Sequence, residues 1–338
     1  MKLSTPILSR RALLSALFLC LLAAGARAQS DSLTGRYYFL DEGANGQQGT
    51  IGYVGLPCGS PTIIDSIGNF GTTLFAHGNW LFAAEGSGMF SSGVGNVYVI
   101  DRQTTAIVDT LDSVAARNFA VWNDTLLTVN DQPPFLRGFD LTNDFAEVLQ
   151  IDTSLIQNEA ADLVVRGDTA FVSVNGFNGF GINGIADTTL AVIDLRARDT
   201  LATLDVGMNP GEVTMTGGRV VVQSRLPFGS LPGQVAVAVD PATLSILRTD
   251  TLPTTNGTNW VSGTDSLFFQ AMSADSNQVL YAYEPIGGQL DSLHAVEEFY
   301  RLFRDAPSGR FFASQSEFVA TGTGVLRYTQ ASGSLSDS

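Results

Sequence analysis

The sequence predicts an all-β chain: a seven-bladed β-propeller of four-stranded blades, with the last blade shared by the N- and C-termini. Three observations predict it. First, a short motif recurs, in which alternating apolar residues end on an acid: GNVYVID (95–101), FLRGFD (135–140), TLAVID (189–194), GQVAVAVD (233–240) and QVLYAYE (278–284). The closing acids Asp101, Asp140, Asp194, Asp240 and Glu284 are 39, 54, 46 and 44 residues apart, and degenerate copies at GTIGYVG (49–55) and GVLRYT (324–329) extend the series to seven. Second, an alternating segment follows the motif, as in TTAIVDTL (104–111), DTLATLDV (199–206) and LSILRTDTL (244–252). Third, two strands around a tight polar turn come next, as in NFAVWNDTLLTVN (118–130), ADLVVRGDTAFVSVN (161–175), EVTMTGGRVVVQS (212–224) and NWVSGTDSLFFQA (259–271). The turns ND, GD, GG and TD are hairpin chemistry. Four strands in about 45 residues, repeated seven times, make a propeller blade. One such blade cannot bury its own two faces, so the ring is the cooperative unit.

The elements follow in order. Residues 1–28 open with Lys2, Arg10 and Arg11, run apolar from Ala12 to Ala24, and end on Ala26-Arg27-Ala28 before Gln29. That is a secretory signal peptide, too short in its apolar core to be a transmembrane span. Leu19 stands where a small residue precedes a lipidated cysteine, which argues against Cys20 as an anchor. Residues 29–34 are expected to be a disordered lead, and 35–338 a single propeller domain. GRYYFLDEG (35–43) resembles the closing strands LFAAEG (81–86) and FVSVNG (171–176), so it is expected to complete the blade begun by GVLRYT (324–329) and GSLSDS (333–338). Pairing the two ends would hide both edges of that blade and leave it one strand short. Helical periodicity is nearly absent; Ala295–Tyr300 is the one candidate turn of helix.

The repeat resembles the YncE-like, or YVTN-repeat, propellers of bacterial surfaces. The residues that carry the resemblance are VYVIDRQTTAIVDTL (97–111), AVIDLRARDTLATLDVGMNPGEVTM (191–215) and YFLDEGANGQQGTIGYV (38–54). The V-G-x-x-P link of that family stands at Val206-Gly207-Met208-Asn209-Pro210. Asp41-Glu42-Gly43 is similar to the N-E-G that ends the opening strand in secreted propellers of the Bacteroidota. Some of these capture cobalamin at the cell surface and pass it to an outer-membrane transporter. The resemblance therefore implies a corrinoid or another bulky nutrient as ligand, and an envelope protein such as an outer-membrane transporter as partner.

Charge narrows the function classes. The first 28 residues hold four of the 18 basic residues and none of the 33 acids, so the remainder has 14 basic against 33 acidic residues, a balance of −19. A surface of that sign repels nucleic acid and anionic lipid, which argues against nucleic-acid binding, and no segment after the signal is apolar for long enough to insert across a bilayer. Past the signal only Cys58 remains, so no internal disulfide is expected and stability rests on the core.

Residues for catalysis are sparse. His77 and His294 fall in different repeats at different strand positions, and Cys58 in GLPCGSP has no convergent histidine. Motifs for a nucleophile elbow, zinc hydrolysis, a P-loop or a dinucleotide fold are missing. Glu42, Glu85 and Asp131, with Asn175, stand at equivalent strand ends; they either shape turns or form part of a calcium site. No cofactor and no metal are assigned.

The candidate binding site lies in the links between hairpins and motifs. VNGFNGFGINGIADT (174–188) is nearly half Gly and Asn yet carries Phe177, Phe180, Ile182 and Ile185. Phe90, Phe135 and Phe228 fall in the equivalent links 85–94, 130–137 and 224–234, with Arg137 and Arg225 beside them. In a propeller these links share one face. Apolar groups converging there beside a few polar ones suit a ligand pocket or a protein interface; alternatively each Phe covers its own blade edge. The expectation is a secreted, monomeric, non-catalytic propeller, periplasmic or at the cell surface. It would bind a bulky small molecule through Phe90, Phe135, Arg137, Phe177, Phe180, Arg225 and Phe228. An adhesion or protein-interaction module of the envelope is the first alternative, and a propeller hydrolase or lyase the second.

Overall fold

A computed structural model describes residues 29–31, 35–41, 48–55, 60–68, 71–85, 95–130, 132–151, 156, 159–175, 187–225, 234–253, 260–273, 278–295, 301–305, 310–314 and 325–329. They form six four-stranded antiparallel sheets and one three-stranded sheet, each with its strands side by side in chain order. The first sheet holds β1 (Gln29–Asp31), β2 (Arg36–Asp41), β3 (Gly49–Gly55) and β4 (Thr62–Ile67). The second holds β5 (Gly71–His77), β6 (Trp80–Glu85), β7 (Val97–Asp101) and β8 (Ile107–Leu111). The third holds β9 (Ala116–Trp122), β10 (Thr125–Asn130), β11 (Leu136–Asp140) and β12 (Glu147–Ile151). The fourth holds β13 (Ala160–Arg166), β14 (Thr169–Val174), β15 (Thr189–Asp194) and β16 (Asp199–Asp205). The fifth holds β17 (Pro210–Thr216), β18 (Arg219–Arg225), β19 (Gln234–Asp240) and β20 (Ser245–Leu252). The sixth holds β21 (Val261–Ser262), β22 (Leu267–Met272), β23 (Gln278–Glu284) and β24 (Gln289–Ala295), and the seventh β25 (Arg301–Asp305), β26 (Arg310–Ser314) and β27 (Val325–Thr329).

Alternation along the inner strands feeds two cores at once. On β10, Leu126 packs with Phe82, Val97 and Val99 of the second sheet, while Leu127 and Val129 pack with Leu163, Ala170 and Val172 of the fourth. The same division places apolar clusters between the first and second, fourth and fifth, and fifth and sixth sheets. Burying each large side chain contributes roughly 1.5–3 kcal/mol. The first strands lie next to one another in turn: β1 beside β5, β5 beside β9, β9 beside β13, β13 beside β17, β17 beside β21, β21 beside β25, and β25 beside β1.

The recurring acids have a local role. Asp101 accepts from the amides of Gln103 (2.9 Å) and Thr104 (2.7 Å), Asp194 from Arg196 and Ala197 (both 2.8 Å), and Glu284 from Ile286 and Gly287 (both 2.6 Å). Each acid ends a third strand and ties down the turn to the fourth. The turn closes on a residue of positive φ, such as Thr105 (61°), Arg198 (57°) or Gly288 (74°). A register shift then marks the fourth strand of each four-stranded sheet, leaving Ile64, Val108, Val148, Leu201, Leu247 and Leu293 without a cross-strand partner. Bulges of this kind kink an edge and make it a poor template for another strand.

Three expectations are corrected. The sheet begins with the hairpin and ends with the motif and the strand after it, so the long Gly-rich links lie inside a sheet, between its second and third strands. The amide of Glu85 bonds the Asn96 carbonyl (2.8 Å) and closes one such link as a wide hairpin. The step to the next sheet needs only a short segment such as 112–115, which spans roughly 13 Å extended. A period is the same wherever counting starts, so it cannot fix this boundary. Among the described residues the two ends of the chain do not share a sheet, β2 pairing with β1 and β3 and β27 with β26, while the expected strand 333–338 lies outside the described residues. Finally, Gln29–Asp31 of the expected disordered lead is an edge strand in register with Arg36–Tyr38. Residues 296–300 of the expected helical turn lie outside the described residues, and Ala295 ends a strand. No helix among the described residues is long and apolar enough to cross a membrane.

Candidate functional site

Strand direction makes the two ends of the molecule unlike. One end carries the tight turns between first and second strands and the acid-capped turns between third and fourth. The other carries every second-to-third link and every step to the next sheet. This loop-bearing end is the candidate site.

Of the side chains expected there, Phe90, Phe177, Phe180 and Phe228 lie outside the described residues, as do Glu42, Cys58 and Asp131. Phe135 is only 8% exposed and belongs to the cluster of Leu127, Ile151 and Ile156, so it is core rather than pocket wall. The reason is that the Asn130 amide bonds the Phe135 carbonyl (2.9 Å), which draws Phe135 into strand register. Arg137 is likewise committed. Its guanidinium grips Glu147 at 2.6 and 2.8 Å, bonds the Ser113 carbonyl (2.8 Å) and lies over the Phe139 ring. Arg225 ends β18 opposite Gln234. His77 and Trp80 flank a tight turn at the opposite end. Glu85 accepts from the Tyr98 hydroxyl (3.3 Å) and Asn96 Nδ2 (3.4 Å), and burial together with this carboxylate raises the Tyr98 pKa. Among the described residues no three His, Cys, Asp or Glu side chains gather to hold a metal.

The residues the structure does bring together line the inner strands just below that end. Thr73, Asn118, Asp162 and Glu212 take equivalent places, at or beside a bulge in β5, β9, β13 and β17. Asp162, 6% exposed, accepts from Asn118 Nδ2, from the Leu163 amide (2.7 Å) and from the Val213 amide of the next sheet (2.9 Å). Glu212 repeats the reach, accepting from the Trp260 amide at 2.5 Å. Burial pushes Asp162 up to about 7, with the Val213 amide opposing and the Glu212 carboxylate adding to the rise. At the mouth itself Arg117 Nη2 meets Glu159 Oε2 at 3.0 Å. Burial raises the Glu159 pKa and lowers that of Arg117, so desolvation outweighs pairing for both partners. Beneath the links of the fifth sheet, Gln234 joins Gln223, the Trp260 indole N–H (3.2 Å) and the Pro253 carbonyl (2.9 Å).

Sequence reading missed this inner belt. Its signal was a polar residue interrupting an apolar first strand, as in Ala161-Asp162-Leu163-Val164-Val165, and it shows only when the hairpins are aligned with one another. Chemically the belt fastens the third sheet to the fourth, the fourth to the fifth and the fifth to the sixth, and three N–H donors occupy the Asp162 oxygens.

No family model matches the chain, and no curated protein matches it by sequence. Solved structures do. The β-propeller domain of Cps50 (Swd1) from Myceliophteria thermophila has a TM-score of 0.62 at 14% identity, over 90% of this chain and 96% of that one. A candidate 6-phosphogluconolactonase from Bacteroides fragilis has 0.61 at 10% identity, over 91% and 95%, and one from Bacteroides uniformis 0.61 at 14%, over 88% and 94%. At such identities the likeness shows the fold, and that fold is a β-propeller.

Proposed function

We propose that the chain is a secreted, monomeric, non-catalytic propeller of seven blades, closed where β25 meets β1, that binds a bulky small molecule over its loop-bearing mouth. One observation carries the reading: the two ends differ, since the longest links, 86–96, 175–188, 226–233 and 315–324, all fall at one end. Binding sites concentrate on loops held by a rigid scaffold. The seven sheets and the circular adjacency of their first strands support the blade count and the closure. A corrinoid, implied by the resemblance of 38–54, 97–111 and 191–215 to the YncE-like propellers, is the ligand to test first, and an outer-membrane transporter is the corresponding partner. Calorimetric and absorbance titration of the purified protein with cyanocobalamin should give heat and a shifted corrin spectrum. Neither appearing removes the corrinoid.

A second reading, hydrolysis, is favoured by the two neighbours described as candidate 6-phosphogluconolactonases. A phosphorylated lactone calls for available cations. The guanidiniums of Arg117 and Arg137 at this end are each bonded to a carboxylate. Assay of 6-phosphogluconolactone opening decides it: turnover above the buffer rate restores the enzyme reading.

A further inference from the structure

We propose that the step from the fourth sheet to the fifth carries a calcium site at the loop-bearing end, built from Asp187 and the side-chain amide oxygens of Asn175 and Asn209. The fold brings these residues together from separate parts of the chain. Val174 pairs with Thr189, which sets Asn175 and Asp187 at the mouth ends of adjacent strands. The step 206–209 then passes back over them: the Val206 amide bonds the Thr188 carbonyl and the Asn209 amide bonds the Asp187 carbonyl, both at 2.8 Å. Left-handed residues turn this step, Gly207 at φ 88° and Asn209 at φ 48°. The Asn175 amide bonds the Glu159 carbonyl (3.0 Å), which carries strand pairing one residue past β14. Strand alternation therefore aims Asn175 to the same side as Ser173. The Ser173 hydroxyl bonds the Gly211 carbonyl (2.5 Å), two residues beyond Asn209.

The chemistry of this corner is one-sided. Asn175 Oδ1 and Asn209 Oδ1 are buried, and neither meets a hydrogen-bond donor among the described residues. A buried oxygen without a donor is costly. Beside them Asp187 brings a carboxylate, held in place by the amides of Thr188 (2.7 Å) and Thr189 (2.9 Å) on its Oδ1. A cation answers all three side chains at once. Amide and carboxylate oxygens are hard ligands, and calcium takes about six to eight of them in flexible geometry, with backbone carbonyls and water completing the set. Magnesium demands a compact octahedron, and zinc favours nitrogen and sulfur. Bound there, the ion ties the root of the link 175–188 to the step 206–209 and so fixes one side of the mouth, whatever ligand the mouth takes.

The test is calorimetric titration of the EDTA-treated protein with calcium chloride at constant ionic strength. Thermal unfolding in about 10 mM calcium or magnesium chloride accompanies it, a concentration above the dissociation constants of extracellular calcium modules, about 10⁻⁴–10⁻³ M. Calcium should bind and raise the melting midpoint by about 2–4 °C or more, and magnesium should give only a small fraction of that rise. Asp187→Asn keeps an acceptor for both amides and removes the charge. Asn209→Gly keeps the left-handed backbone and removes the oxygen. Each of these, and Asn175→Ala, should weaken calcium binding about tenfold or more. Should Asn175→Ala not fold, the other two variants decide. If calcium gives neither heat nor a shifted midpoint, water alone serves these oxygens and the proposal falls. An equal response to magnesium, or calcium binding unchanged in the variants that fold, places the ion on the acidic surface at large and overturns it too.

Discussion

Arg137 and Glu147 meet fork to fork across two neighbouring strands, Nε to Oε1 at 2.6 Å and Nη2 to Oε2 at 2.8 Å. Both side chains are largely covered, at 14% and 26% exposure, and the same guanidinium holds the Ser113 carbonyl at 2.8 Å. The pair therefore staples the third sheet to the segment that leads into it. Arg137→Ala should cost about 1–3 kcal/mol, because Glu147 and the Ser113 carbonyl both lose their donor. Arg137→Lys should recover little, since an ammonium cannot reproduce the fork. Denaturant midpoints at constant slope measure both.

The pH dependence of the same pair has a definite sign. The hydrogen bond from Arg137 holds the Glu147 pKa below its ordinary value. The stability it supplies is present above the ordinary glutamate range and is lost as pH falls through the lowered value. The difference in unfolding free energy between wild type and Arg137→Ala should thus be constant near neutrality and narrow below about pH 4. A gap that widens in acid would contradict this.

Phe135→Ala tests whether that ring is core or binding surface. With 8% exposure among Leu127, Ile151 and Ile156, it should cost about 3–5 kcal/mol on truncation. Any ligand affinity of the folded fraction should be unchanged. A stable variant with weakened binding would return Phe135 to the mouth.

These cases show what could be read from the chain alone. The closing acids at Asp101, Asp194, Asp240 and Glu284 were legible because each caps a turn through its own neighbours, and local chemistry recurs at a fixed spacing. Where a sheet starts was not legible, because a hairpin and the motif after it look alike whichever opens the unit. Phe135 and Arg137 sit in a link by spacing, yet β11 begins at Leu136 and takes Arg137 into the sheet, while the Asn130 amide holds the Phe135 carbonyl just ahead of it. Asp162 was invisible for another reason: its partners Asn118 and Val213 are 44 and 51 residues away, and only the packing of neighbouring sheets brings them together.

Gln234 offers a test of the buried amide network under the loop-bearing end. It is 3% exposed and accepts from the Trp260 indole at 3.2 Å and from the Gln223 amide, while donating to the Pro253 carbonyl at 2.9 Å. Gln234→Leu keeps the volume and strands those groups, at about 1–3 kcal/mol for each one left without a partner. Pairing it with Gln223→Leu should cost less than the sum of the single changes, because the second substitution removes one of the orphaned groups. A double-mutant cycle by chemical denaturation, with strictly additive losses, would mean that the two amides do not act as one network.

Gly68→Ala probes the Glu85 end of the mouth. A Cβ at residue 68 would stand 1.8 Å from Glu85 Oε1, and that atom is the far tip of a flexible side chain, so the carboxylate should swing away rather than the backbone yield. The loss of stability should stay below about 1 kcal/mol, within the range of ordinary surface changes. Tyr98 loses its carboxylate neighbour in the process. Its hydroxyl, held up by burial first and by Glu85 second, should therefore titrate at lower pH than in the wild type, and ultraviolet difference titration reads this directly. Glu85→Ala should lower the Tyr98 titration by a similar amount, and adding Gly68→Ala to it should change nothing more. If the two substitutions lower it independently, the glycine matters to Tyr98 through the backbone, not through the carboxylate it accommodates.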